Sequence, residues 1–428
     1  MYRYLIQYIK NISPRPFSVA FFLSFFFFMI YFWISLTLSK TAAYNENDLL
    51  FGIDTVRVVD DMTVFSTNHY RTSVHPLYLL FVNPWGVLLK KIVGSKLLAA
   101  LIINSFLGGF GVGMAFLFFY GYKKAIQHAV ILASLFGVSA SQLILSVIPD
   151  TATLAICSLL FTYLIFLLSL KHENTYHAIW IIAGVFSLGV TTTNVFQTFL
   201  AYTFMILILR SKKEWYNKAL SVSGYGLSVI TITILLALIQ KRIYPSAELF
   251  YLPSSFQNEL RFASLLIFQE PLAVLKQLVG NFLLVNVIAP YPDVFTLTDT
   301  FRYSPSITFS TSSNFSFLGW ISFSIWVFLL SISLGKYQDN QKKRTLHIFF
   351  LLCFEFNIVL HSFYGVGERG LIEYFLYTGN FTFLSVGALA NLPLRKNKYL
   401  VTLLVGLVLF TVGNNFFVLR EIYFIYGR

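Results

Sequence analysis

The chain has 428 residues, of which 57% are hydrophobic and only 11% charged, and its mean hydropathy is +0.71. Because soluble globular proteins carry about 25% charged residues, this composition excludes a soluble protein and indicates an integral membrane protein. The formal net charge of +13 does not indicate a nucleic-acid partner, since the basic residues lie in short loops between apolar segments. The two cysteines both lie inside apolar runs, so neither a disulfide framework nor a zinc site is expected.

The apolar segments predict an all-α bundle of about eleven membrane spans. They cover residues 17–38, 97–120, 126–147, 151–170, 176–195, 197–209, 219–240, 318–335, 346–364, 371–391 and 399–417. Five short loops between them are basic, at 122–124, 171–174, 210–218, 336–344 and 395–398. With a cytoplasmic N-terminus, all five loops lie on the cytoplasmic side, as the positive-inside rule requires.

Two long polar segments, about 39–96 and 241–317, fall on the opposite side of the predicted bundle and hold most of the acidic residues. We therefore divide the chain into an N-terminal module, 1–240, with a catalytic first outer loop at 39–96, a second outer segment at 241–317, and C-terminal helices at 318–428. Charged residues interrupt the apolar pattern between about 255 and 290, which predicts helices lying in the membrane interface.

The first outer loop ends in the apolar run "LYLLFVNPWGVLL", residues 77–89. This run is too short to span a membrane, and we expect Pro84 and Gly86 to break it. The run therefore predicts a segment that re-enters the membrane or lies along its surface.

Carboxylates are concentrated at the start of the first outer loop, where Asp54, Asp60 and Asp61 follow Glu46 and Asp48. A partly desolvated carboxylate near a membrane can act as a general base. Asp54 is the first candidate, because Gly52 allows the backbone to turn sharply just before it. Asp150, directly after a proline, could position an acceptor, share a divalent cation or cap the following helix.

Basic and aromatic side chains in the same loop suit a phosphorylated ligand. Arg57 and Arg71 offer donors for a phosphate, and the stretch "NHYRTSVHPLY" at 68–78 adds Tyr70 and His75. The spacing of His69 and His75 is weak for zinc.

A second polar constellation occurs late in the chain, in "HSFYGVGERGLIEYFLYTGNF" at 361–381. Glu368 and Arg369 lie in a glycine-rich turn, and Glu373 enters an apolar segment, where an ionisable group is costly and suggests function. We expect Glu368, Glu373 and Tyr377 to contact substrate, and His361 to be a hydrogen-bonded core residue. Arg261 is an alternative phosphate ligand.

A first span, an outer loop with an early aspartate, "HPL" at 75–77 and "IPDTATLAICSLLFTYLIF" at 148–166 together resemble the GT-C membrane glycosyltransferases, among them protein O-mannosyltransferases and the aminoarabinose transferase of lipid A. The layout matches over roughly residues 1–170, although this chain has one proline in "HPL" and a lone "GID" at 52–54. The resemblance implies a polyprenyl-phosphate sugar donor, transfer on the outer face of a bacterial inner membrane, and inversion at the anomeric carbon. It also implies that Arg369 contacts the donor phosphate, with a glycan, lipid or protein as acceptor. A divalent cation, Mg²⁺ or Mn²⁺, stays open as a cofactor.

Two other functions compete with this interpretation. A transporter or flippase of lipid-linked sugars should show two related halves with broken spans, and the sequence shows no such symmetry. An O-antigen polymerase or ligase concentrates its polar residues in one late outer loop, and the segment 241–317 keeps that alternative open.

Overall fold

A computed structural model describes residues 14–210, 214–260, 262–296, 305–311, 314–335, 341–364 and 374–427. Within these ranges the chain is a bundle of α-helices with one small antiparallel sheet, which confirms the all-α prediction in its main feature. The helices in chain order are α1 (Pro14–Leu38), α2 (Thr55–Thr63), α3 (Tyr78–Val93), α4 (Lys96–Lys123), α5 (Ile126–Val138), α6 (Ala140–Val147), α7 (Ala152–His172), α8 (His177–Val190), α9 (Asn194–Leu209), α10 (Trp215–Ile243), α11 (Pro253–Leu260), α12 (Leu266–Gln269), α13 (Pro271–Gly280), α14 (Phe317–Leu334), α15 (Gln341–Phe363), α16 (Thr382–Ala388) and α17 (Lys398–Tyr426).

Seven of the helices in the described ranges are long and apolar enough to cross a membrane, namely α1, α4, α7, α10, α14, α15 and α17. The helices α5 and α6 form a pair bent by 59°, which makes an eighth span if the pair is counted as one. The predicted segments 176–195 and 197–209 correspond to the shorter helices α8 and α9. The 14 residues of α8 extend about 21 Å, less than the ~30 Å of a bilayer core. The structure thus supports a membrane-embedded bundle, but not the count of eleven spans.

The basic loops of the bundle gather at one end. Arg395 donates to the backbone oxygens of Lys123 and Lys124 at 2.8 Å, and Lys342 pairs with Glu173 at 2.7 Å. The helix α7 begins two residues after Asp150, and its 21 residues rise about 31 Å to this basic end. Asp150 and the outer loops therefore lie at the opposite end of the bundle.

The run at 77–89 begins at the N-cap Leu77 and continues through the first three turns of one uninterrupted helix, α3, so the predicted break at Pro84 and Gly86 was wrong. Proline removes one backbone hydrogen bond from a helix. The helix α3 nevertheless continues through Pro84, and we attribute this to the packing of α3 against α2. Gly86 makes this packing possible, because a side-chain carbon there would overlap the backbone oxygen of Met62.

The second outer segment contains the short helices α11, α12 and α13, followed by a π-helical turn at Asn281–Val285. The described residues of this stretch therefore form short helices, none of which is among the helices long enough to span a membrane, while their position in the membrane interface stays a prediction. The sheet was not predicted, since its strands β1 (Asp293–Thr296) and β2 (Pro305–Thr308) have only four residues each. β2 also joins the two outer segments, because Ile307 exchanges backbone hydrogen bonds with Leu49 and Phe51 at 2.9 and 2.8 Å.

Candidate functional site

A cavity of about 390 Å³ lies at the end of the bundle that faces away from the basic loops. It brings together the first outer loop, the start of α7, the turn between α8 and α9, the second outer segment, the end of α15 and the turn Leu376–Asn380. The polar and aromatic residues that line it are Asp48, Asp54, Arg57, Tyr70, Arg71, His75, Asp150, Thr151, Thr191, Thr193, Phe262, His361, Tyr364, Tyr377 and Asn380.

Seven of the thirteen site residues predicted from the sequence line this cavity: Asp54, Arg57, Tyr70, Arg71, His75, Asp150 and Tyr377. Asp60 and Asp61 do not line it. Arg261, Glu368, Arg369 and Glu373 lie outside the described residues.

A sharp turn presents Asp54 to the cavity. Gly52 adopts a left-handed conformation with φ of +73°, as its position before Asp54 predicted. The side chain of Asn47 caps α2 by accepting from the backbone N–H groups of Val56 and Arg57 at 2.9 and 3.2 Å. Asp54 directly precedes α2 at the N-cap position, but its own side chain makes no capping hydrogen bond. Its side chain is 32% exposed, and its Oδ2 accepts from Nε of Arg57 at 2.9 Å.

Arg57 lies between two carboxylates. Its Nε contacts Asp54, and its Nη1 donates to Oδ2 of Asp61, also at 2.9 Å. Burial alone would lower the pKa of Arg57, but the charges of Asp54 and Asp61 outweigh burial and raise that pKa. Arg57 is therefore a permanent cation whose charge is already met by two anions.

Asp60 and Asp61, which the sequence offered as alternative bases, occupy different surroundings. Asp61 is buried, and its Oδ1 accepts from Nδ1 of His69 at 2.7 Å. Asp60 points to the surface, where it pairs with Lys96 at 2.8 Å. Asp61 lies on the face of α2 that carries Arg57 and is buried behind it, whereas Asp60 lies at the surface, so neither carboxylate lines the cavity.

Asp150 is a buried carboxyl group in the cavity wall, at 7% exposure. Its Oδ1 accepts from the backbone N–H of Thr151 at 2.7 Å, which places it at the N-terminus of α7. Burial raises the pKa of Asp150, against the opposing effects of backbone hydrogen bonds and the charge of Arg57, and the nearby carboxylate of Asp54 adds to the rise. Two carboxyl groups in different environments therefore share one cavity.

His75 lines the cavity and is held there by hydrogen bonds, while its predicted contact with a phosphate stays a prediction. Its Nδ1–H donates to the backbone oxygen of Val190 at 2.7 Å, and its Nε2 lies 3.4 Å from the hydroxyl of Thr151. Burial, helped by the charge of Arg71, lowers the pKa of His75 to about 3. The "HPL" turn is thus a junction between the first outer loop, α8 and α7.

Arg71 is the cation in this cavity that is best placed for an anionic ligand. Its Nη1 donates to Oε1 of Glu259 at 2.9 Å, and the hydroxyl of Tyr364 donates to Oε2 of the same carboxylate at 2.6 Å. Its guanidinium lies 5.4 Å from the ring centre of Phe262. Its Nε is buried without a hydrogen-bond partner among the described residues, and such a donor is costly unless a ligand or water satisfies it.

His361 is buried, as expected of a core histidine, yet it also lines the cavity. Its ring stacks on Tyr377 with the ring centres 4.5 Å apart, and its Nδ1 lies 3.3 Å from the backbone oxygen of Tyr364. Sequence reasoning missed Glu259 and Asn380, and it assigned no role to Asp48, which also lines the cavity. No local signal marks Glu259, which lies 188 positions from the arginine that it contacts.

Among the described residues, no group of three or more His, Cys, Asp and Glu side chains is arranged to hold a metal ion. No protein-family model matches the chain, and no curated protein is significantly similar to it.

Proposed function

We propose that the protein is a membrane glycosyltransferase that uses a polyprenyl-phosphate sugar on the non-cytoplasmic face. One observation carries the proposal: a single cavity, at the end of an apolar bundle opposite the basic loops, holds both an accessible carboxylate, Asp54, and an incompletely paired arginine, Arg71. A donor with an apolar tail, a phosphate and a sugar requires an apolar surface, a cation and a base close together. The acceptor is a hydroxyl group of a glycan, lipid or protein.

Arg71 is the proposed ligand of the donor phosphate. A guanidinium offers several N–H donors in a plane that suits phosphate oxygens. Nη1 of Arg71 donates to Glu259, whereas its Nε has no hydrogen-bond partner among the described residues. The neighbouring helices α11 to α13 expose large apolar side chains, including Phe256, Phe268 and Leu272. They offer a surface along which a polyprenyl tail can lie.

Asp54 is the proposed general base. It removes the proton from the acceptor hydroxyl while the acceptor oxygen bonds to the anomeric carbon and the bond from that carbon to the phosphate oxygen breaks. The leaving group is the polyprenyl phosphate, which stays bound to Arg71, and attack from the opposite side inverts the anomeric centre. A positioned base contributes about 10²–10⁴-fold to such a step. Asp150, which lies in the same cavity, is the second candidate for this role.

The test is a transfer assay with purified protein in lipid nanodiscs, supplied with a panel of polyprenyl-phosphate sugars and an extract of envelope acceptors. We expect the wild-type protein to release polyprenyl phosphate and Asp54→Asn to release none above background. Asp60→Asn is the matched control, because its carboxylate lies outside the cavity, and it should retain activity. Release by Asp54→Asn at the wild-type rate would eliminate Asp54 as the base and direct attention to Asp150.

A further inference from the structure

We infer that Arg57 is a positioning residue that fixes the carboxylate of Asp54, and that it is not a ligand of the donor phosphate. The inference rests on the proposed function and assigns different roles to the two arginines of one cavity.

The geometry around Arg57 leaves it poorly suited to an additional anion. Two different nitrogen atoms of its guanidinium, Nε and Nη1, each donate to a different carboxylate at 2.9 Å. Two negative charges therefore surround one positive charge, and a phosphate arriving there would meet net negative charge. The side chain of Arg57 is 14% exposed, so solvent screens this repulsion only weakly.

The support behind Arg57 is rigid. Asp54, Arg57 and Asp61 are spaced by three and four residues, which places them on one face of α2. Asp61 is in turn fixed by His69 through its carboxylate, and the backbone oxygen of Asp61 accepts from Nδ2 of Asn83 at 2.8 Å. The order from the interior to the cavity is thus His69, Asp61, Arg57 and Asp54.

Arg71 differs from Arg57 in its partners, although its side chain is similarly enclosed, at 19% exposure. One carboxylate, that of Glu259, contacts it, and its Nε is buried without a partner among the described residues. Arg57 is therefore expected to affect the chemical step, and Arg71 the binding of the donor.

Steady-state kinetics of the two arginine variants separate these roles. A displacement of about 1 Å in a reacting group can cost about 10²-fold in rate. For Arg57→Gln we expect kcat to fall by about that factor, with the donor KM within about twofold of the wild-type value. Arg71→Gln, the matched variant, should show the opposite pattern, with a donor KM raised at least about tenfold, since a lost hydrogen bond to a charged group weakens binding by that order.

Two further measurements test the role of Arg57 even if the Arg57→Gln protein does not fold. Arg57→Lys keeps the positive charge but has no planar fork that reaches two carboxylates at once, so we expect it to fold and to show the same loss of kcat. Added methylguanidinium should restore part of the lost kcat of Arg57→Ala. At saturating donor it should not change the kcat of Arg71→Ala.

A raised donor KM with unchanged kcat in Arg57→Gln or Arg57→Lys would overturn the inference and make Arg57 a phosphate ligand. Absence of transfer by the wild-type protein with every donor would instead overturn the proposed function itself. The two failures are therefore distinguishable in one set of assays.

Discussion

Asp61 and Asp60 are neighbours in sequence whose replacement by asparagine should have very different consequences for stability. Asp61 is 5% exposed and accepts charge-assisted hydrogen bonds from Arg57 and His69, at 2.9 and 2.7 Å. Removing one partner from a buried ion pair costs about 3–5 kcal/mol, because the remaining charge stays buried. The amide oxygen of an asparagine can still accept one hydrogen bond, so we expect Asp61→Asn to lose about 3 kcal/mol.

Asp60→Asn provides the matched comparison. Asp60 pairs with Lys96 at the surface, with side-chain exposures of 29% and 50%, and such pairs contribute about 0–1 kcal/mol. Denaturant unfolding of the two variants and the wild-type protein, in the same detergent micelles, would measure the difference. A loss below about 1 kcal/mol for Asp61→Asn, or equal losses for both variants, would refute the buried network on which the position of Arg57 depends.

Three further predictions concern stability and pH. Gly86→Ala should lower the melting temperature, because its new methyl group overlaps the backbone oxygen of Met62, whereas Gly224→Ala, which meets nothing within 4 Å, should not. His75 has a folded-state pKa of about 3, below the ~6.5 of an unfolded histidine. Below pH 6.5 the unfolded chain therefore binds a proton at His75 that the folded protein does not bind. As the pH falls from 6.5 to 3, this difference should lower the free energy of unfolding by up to about 1.4 kcal/mol per pH unit. His75→Gln should remove that dependence, and an unchanged slope of stability against pH in this variant would contradict the burial of His75. Burial raises the pKa of Asp150, so its ionised form destabilises the fold at any pH above the pKa of an aspartate in the unfolded chain. Asp150→Asn should therefore raise the melting temperature at pH 7 but not at pH 3. An unchanged melting temperature at pH 7 would contradict the burial of this carboxyl group.

The helical segments could be predicted because their signal is local. Apolar runs at 17–38, 97–120 and 399–417 have about the length of a span, and each coincides with a long helix. Helices α8 and α9 also begin and end near their predicted bounds, but apolar composition alone could not separate a spanning helix from a shorter buried one.

The sequence singled out Asp150 and Tyr377 as well as residues of the first outer loop, but it predicted which residues share a cleft only where they are close in the chain. Asp54, Arg57 and Arg71 belong to one loop, so a polar cluster in that loop predicts a cleft that contains all three. The contact between Arg71 and Glu259 depends on how the second outer segment folds over the first, which no spacing in the sequence encodes. The neutral state of His75 depends on burial, which a polar, turn-prone stretch does not indicate.

The different surroundings of the three aspartates also depend on a structure that the sequence did not predict. Reading 39–96 as a loop hid the helix α2, whose mean hydropathy is low and which has only nine residues. Without α2, only the position of Gly52 ranks Asp54 above Asp60 and Asp61. With α2 present, Asp61 lies behind Arg57 and Asp60 pairs with Lys96 at the surface, so Asp54 is the one of the three that lines the cavity.

The most direct test of the central claim is mass spectrometry of surface glycans from cells that lack the gene and carry either the wild-type protein or Asp54→Asn. We expect one sugar to be missing from a glycan, lipid or protein in the deletion cells. The wild-type protein should restore that sugar, and an equally abundant Asp54→Asn protein should not. Identical glycans in deletion and wild-type cells, or full restoration by Asp54→Asn, would contradict this expectation.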